Sequence, residues 1–177
     1  MTKNADRIGL VHLYTGNGKG KTTAAAGLAL RALGHSWRVL FCQFLKATPS
    51  GETAGLEQLG AELLRASCIP KFSWTLTEEE RKLQTDSHTA CLSEVVSRQA
   101  DYDLIVLDEV VDAVNCGFLP LGNLVTMIES RPPWQELVLT GRSPAEPLIK
   151  LADYHTDFVC LKHPYERGIA AREGIER

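Results

Sequence analysis

The chain has 177 residues, the length of a single domain, and 44% hydrophobic with 23% charged side chains is a globular composition rather than a disordered one. Its 19 basic and 22 acidic side chains leave a net charge of −3, which excludes a nucleic-acid binder that works by bulk positive charge. The 5 cysteines are scattered without a C-x-x-C pair, which argues against a disulfide framework or a zinc site and fits a reducing, cytoplasmic setting.

The first residues are polar and lack the apolar core of a signal peptide, and no apolar run approaches the ~18 residues of a membrane span. Residues 10–14 then predict a strand, and 21–33 a helix ended by Gly34. A strand follows at 38–44. The loop 46–51 holds Pro49 and Gly51, 55–59 suggests a short helix, and 62–65 a weak strand. The stretch 66–76 is irregular and carries Pro70, Phe72 and Trp74. Thr77-x-x-Glu80 is a capping-box signature; the helix it opens is expected to reach about Ala100, with Cys91, Leu92, Val95 and Val96 as its apolar stripe. Residues 104–107 are wholly apolar, as in a central parallel strand covered on both faces. Helical segments at 110–115 and 121–129, a strand at 136–140, a helix near 145–151 and a strand at 158–161 complete the pattern, before a mixed tail at 162–177. This alternation predicts one α/β domain over 1–177, with a mainly parallel sheet and helices on both faces.

Between the first strand and the first helix lies Gly16-Asn17-Gly18-Lys19-Gly20-Lys21-Thr22. Glycines let a backbone curl so that successive N–H groups point at an anion, and the helix N-terminus adds partial positive charge there. Lys21 is placed to reach phosphate oxygens, Thr22 to ligate Mg²⁺, and Thr23 to add a hydrogen bond. The usual phosphate loop has four residues between its first glycine and Gly-Lys-Thr; here Gly16 and Gly20 enclose three, so the loop is tight.

Asp108 and Glu109 close the most apolar strand, where a carboxylate in P-loop proteins holds Mg²⁺ directly or through water. The sequence leaves open which of the two touches the metal, and Asp112 reads as a solvated helix residue. Thr140-Gly141-Arg142 follows a strand at the edge where such sheets bind ligands, so Arg142 is a candidate phosphate partner, with a plain surface charge as the alternative. Arg31 is a candidate for the nucleotide sugar or again a surface charge. Phe72-Ser73-Trp74 reads on physical grounds as core packing, with an apolar ligand surface as the alternative. His163 has no neighbour at metal-ligand spacing and reads as a solvated or hydrogen-bonded side chain. The segment 167–177 either covers a site or is a tail. No G-x-S-x-G, H-E-x-x-H or evident catalytic base is present.

The run Gly16-Asn17-Gly18-Lys19-Gly20-Lys21-Thr22-Thr23-Ala24-Ala25 resembles the signature of the P-loop ATP:corrinoid adenosyltransferases, whose loop is also one residue short. Further likenesses follow in order: Arg31-Ala32-Leu33-Gly34-His35, Gln43-Phe44-Leu45-Lys46, Phe72-Ser73-Trp74, Val106-Leu107-Asp108-Glu109, Phe118-Leu119-Pro120-Leu121, Thr140-Gly141-Arg142, Lys162-His163 and Gly174-Ile175. The likeness spans residues 9–176, and differs at Ser73, where Thr is familiar. It implies a RecA-like P-loop fold, a homodimer, and transfer of the 5′-deoxyadenosyl group of ATP to the cobalt of a reduced corrinoid with release of triphosphate. The resemblance assigns ATP to Gly16 through Thr23 with Arg31 and Arg142, the metal to Thr22, Glu109 and Asp108, and catalysis to Lys21 and Glu109. ATP is expected on the loop in the reverse sense to kinases, with Mg²⁺ (Mn²⁺ as the alternative), and a flavodoxin-like or other electron donor is expected to supply the reductant. Phe72 and Trp74 would face the lower side of the corrinoid and exclude its axial ligand, easing reduction of Co(II) to Co(I). Neither nucleic acid nor membrane is an expected partner.

Three other readings share the same loop. A small-molecule kinase would release ADP, a nucleotide-gated binding module would consume nothing, and a RecA-like nucleic-acid ATPase would release phosphate. A thymidine-kinase-like reading is weakened by the missing C-x-x-C.

Overall fold

The computed structural model describes residues 7–176. Among them β1 (Val11–Thr15), β2 (Val39–Gln43), β3 (Glu62–Arg65), β4 (Leu104–Asp108), β5 (Glu136–Thr140) and β6 (Tyr154–Asp157) form one sheet in the order β3-β2-β4-β5-β1-β6. Every pairing is parallel, so each return needs a crossover. The helices are α1 (Lys21–Gly34), α2 (Gly51–Gln58), α3 (Glu78–Arg98), α4 (Val110–Asn115), α5 (Leu121–Glu129) and α6 (Glu146–Leu151). With β5 between β1 and β4, this is the α/β sheet of RecA-like P-loop proteins.

The sheet is covered on both faces. β2 and β4 are buried along their whole length, which explains their unbroken apolar runs. On one face Phe41, Val106 and Val138 pack against Ala25, Ala29 and Ala32 of α1; these small side chains, at helical spacing, let the helix lie close to the sheet. On the other, Leu40, Ile105 and Leu137 share a core with Leu92 and Val95 of α3, Leu124 and Ile128 of α5, and Leu148 of α6. The capping box at α3 is complete, with Thr77 and Glu80 each accepting the other's backbone N–H.

Register places the chemistry. Gln43 pairs with Asp108, Leu107 with Leu139, and Tyr14 with Thr140, so the carboxyl ends of four strands meet along one edge. Ligands of open α/β sheets bind outside that edge.

Three expectations change. The last strand is Tyr154–Asp157, not 158–161: an edge strand needs backbone pairing more than apolar side chains, and the polar Tyr154–Asp157 supplies it against β1. α2 begins at Gly51, earlier than the expected 55–59, because Ser50 and the loop before it already turn into the helix. Phe72 and Trp74 are not core residues. They are 68% and 76% exposed, and their rings stack on each other 4.7 Å apart on a short 3₁₀ turn at Ser73–Thr75.

Candidate functional site

The loop after β1 is braced from behind. Gly16 has φ +100, and a Cβ there would lie 2.4 Å from both Asp157 Oδ1 and the Phe158 carbonyl, so only glycine fits. Phe158 continues past β6: its N–H donates to the Thr15 carbonyl at 2.8 Å, and its own carbonyl accepts from Gly18 N at 2.6 Å. Asn17 Oδ1 accepts from Cys160 N at 3.1 Å. The residues first read as a strand thus support the phosphate loop instead. Lys21 Nζ donates to the carbonyls of Gly16 at 2.7 Å and Gly18 at 3.0 Å, folding back along the loop. Burial, then the charge of Arg142, holds the Lys21 ammonium below its ordinary pKa.

Asp108 is fully buried and organises the strand edge. Its Oδ1 accepts from the hydroxyls of Thr22 and Thr140, both at 2.8 Å. Its Oδ2 accepts from Gln43 Nε2 at 3.4 Å and pairs with Lys46 Nζ at 3.2 Å. Glu109, next along, sits at φ 60 in the left-handed region, a cost of about 1 kcal/mol for a residue with a Cβ. Its N–H donates to Thr140 Oγ1 at 2.8 Å, but no hydrogen bond among the described residues ties down its carboxylate. Burial, then the neighbouring Asp108, pushes the Glu109 carboxyl up to about 7.

A cavity of about 550 Å³ opens over this edge. Residues 17–23 line it, with Lys46, Glu109, Asp112 and Arg142. Asp112 is therefore not the solvated helix residue its position suggested: its Oδ1 accepts from Arg142 N at 3.2 Å, and burial raises its pKa. Gly16 lies behind the lining, and Arg31 lies outside it, exposed on α1 and within charge range of Tyr14. The C-terminal segment forms one wall through His163, Ile175 and Glu176. Lys19 Nζ reaches Ile175 O at 3.1 Å and Glu176 Oε1 at 3.4 Å, while Arg172 holds the Glu176 carboxyl at about 2. Of the two readings of the tail, the cover is the one seen.

Sequence reading missed Lys46 and Gln43 as partners of Asp108. The signal was present: a polar residue ending a buried strand, and a lysine just past it, both beside a strand that ends in a carboxylate. Leu45 lines this cavity and also a second, largely apolar hollow of about 280 Å³ that runs by Cys68 and Pro70 to Phe72.

The donor set suits a hard divalent cation. Thr22 keeps hydroxyl lone pairs free because it donates to Asp108, and the unpaired Glu109 carboxylate beside Asp108 is a place where added positive charge relieves repulsion. Mg²⁺ typically takes one or two protein oxygens and completes its shell with phosphate and water, which this sparse set allows.

A family model described as ATP:corrinoid adenosyltransferase BtuR/CobO/CobP matches residues 7–177. The corrinoid adenosyltransferase of Escherichia coli K12 is 35% identical over 97% of this chain and 87% of its own length. That of Pseudomonas aeruginosa is 33% identical over 97% and 85%, and the corrinoid adenosyltransferase CobA of Salmonella typhimurium 35% identical over 95% and 85%.

Proposed function

Since the chain belongs to the family of ATP:corrinoid adenosyltransferases, we propose that it moves the 5′-deoxyadenosyl group of ATP to the cobalt of cob(I)alamin, or of a precursor such as cobyrinic acid diamide, and releases triphosphate. The observation that carries this reading is Leu45, a wall shared by the phosphate-loop cavity and the apolar hollow that ends at Phe72. Substrates in the two hollows would lie against the same side chain, the neighbouring arrangement that a transfer between them requires.

In the step proposed, Co(I) of the corrinoid substrate donates an electron pair to C5′ of ATP, the C5′–O bond breaks, and triphosphate leaves with that bonding pair. Cobalt ends formally as Co(III). The nucleophile carries no proton, so the reaction asks for orientation and charge neutralisation rather than for a base. Lys21, the loop N–H groups and Arg142 meet the triphosphate, and Lys21 must release the carbonyls of Gly16 and Gly18 to do so. Thr22 and Glu109 would hold Mg²⁺, which when bound would supply charge neutralisation to the leaving group. Asp108, occupied by four donors, orients Thr22 and Thr140 rather than the cation. Phe72 and Trp74 offer a flat apolar face to the corrinoid's lower side. A homodimer and a flavodoxin-like or other electron donor complete the proposal, while Arg31, outside the cavity, is left as a surface charge. Among the described residues no helix is long and apolar enough to cross a membrane.

The test is an anaerobic incubation with ATP, Mg²⁺ and chemically reduced cob(I)alamin, following the corrin spectrum and the phosphate product. A light-sensitive Co–C product with triphosphate is expected, and Lys21→Ala is expected to lose about a hundredfold in rate. Unchanged corrinoid with a folded, ATP-binding protein, or ADP as product, overturns the reading.

A further inference from the structure

α4 carries polar side chains at Asp112 and Asn115, three apart and so along one side of the helix, and Glu109 caps its start. Glu109 reaches the cavity. The other two grip the turn after β5. Asp112 Oδ1 accepts the Arg142 N–H at 3.2 Å, and Asn115 Nδ2 donates to the Arg142 carbonyl at 2.7 Å and to that of Ser143 at 3.3 Å. Both polar groups of the Arg142 backbone are therefore held by α4.

The turn needs such holding. Ser143 sits at φ 48, a left-handed conformation unfavourable to a residue with a Cβ, and Gly141 at φ +149. Gly141 is pressed so closely on α4 that a Cβ there would lie 2.6 Å from Val111 Cβ and 2.9 Å from Asp112 N. Arg142 is itself exposed, with a long side chain that loses several rotamers when it engages a ligand. Fixing its backbone beforehand leaves only the side chain to be ordered when the ligand arrives.

We propose that Asp112 and Asn115 are positioning residues for polyphosphate. They lock the 141–143 turn by hydrogen bonds so that the Arg142 guanidinium stays over the phosphate-loop cavity. This rests on the reading of Arg142 as a phosphate ligand. On the turn Asp112 serves as a hydrogen-bond acceptor, a role that an amide oxygen also fills.

The experiment measures binding of inorganic tripolyphosphate with Mg²⁺ by calorimetry, with thermal melts to confirm folding. Asn115→Ala is expected to weaken binding about fivefold, the worth of one modest hydrogen bond. Asp112→Ala is expected to bind about fivefold more weakly than Asp112→Asn, both variants being uncharged at that position. In an Arg142→Ala background, Asn115→Ala is expected to cost nothing further, because the lock then has no guanidinium to place. Unaltered affinity in Asn115→Ala, or an equal loss in both backgrounds, overturns the inference and leaves the proposed function standing. If Arg142→Ala alone binds like the unmodified protein, the phosphate role of Arg142 falls and the inference falls with it.

Discussion

Asp108 and Glu109 are adjacent in sequence yet do opposite work. Asp108 is buried and fully engaged by Thr22, Thr140, Gln43 and Lys46, whereas Glu109 keeps a free carboxylate facing the cavity. The folded-state pKa of Glu109, about 7, lies above its ordinary 4.5. Between those values the folded chain keeps a proton that the unfolded chain has released, so the stability of the ligand-free fold falls as pH rises from about 4.5 through 7. The loss is on the order of 3 kcal/mol. Glu109→Gln removes the ionisation, so its thermal midpoint is expected to rise by a few degrees at pH 8, and by clearly less at pH 5. Equal shifts at the two pH values would show that the buried charge is not the source. The same substitution is expected to weaken Mg²⁺-dependent nucleotide binding, the pattern of a site that gives up stability for function.

The short turn that presents Phe72 and Trp74 shows the same separation at the level of an element. Thr75 N donates to the Phe72 carbonyl at 2.9 Å, and Arg81 Nη2 from α3 donates to the Ser73 carbonyl at 2.8 Å, so the backbone is anchored while both rings face solvent. Replacing both rings with alanine is expected to leave the thermal midpoint nearly unchanged, because little apolar area is buried there. Turnover from Co(II) corrinoid is expected to fall much further than turnover from prereduced Co(I). Equal losses from the two starting states would mean that the rings only bind the corrinoid. The phosphate loop, the acidic end of β4 and the capping box of α3 were legible in the sequence because each is a local pattern with a local physical cause. β6 was not, since the identity of an edge strand lies in backbone pairing that polar Tyr154–Asp157 does not advertise. Nor was Asp112, whose partner Arg142 is brought to it only when β5 lies beside β4. Composition favoured a buried Phe72 and Trp74, and only the anchored turn shows why they stay outside.

At the scale of the whole molecule, the parallel sheet forces sequence-distant segments together at the site. β1 is placed between β5 and β6, and the loop it leads into is braced by Phe158 and Cys160 and latched through Lys19 to Ile175 and Glu176. A chain ending at Leu151 therefore lacks both the second neighbour of β1 and the brace, and is expected to show no measurable ATP binding; binding at full affinity would show that the loop supports itself. Order of synthesis gives this arrangement a further consequence. Chains emerge from the ribosome N-terminus first, and non-local strand pairing is slow to form. The glycine-rich loop is thus made before the segments that brace it and completed only after them, so a growing chain is expected to take up no nucleotide until β6 and the residues after it have arrived.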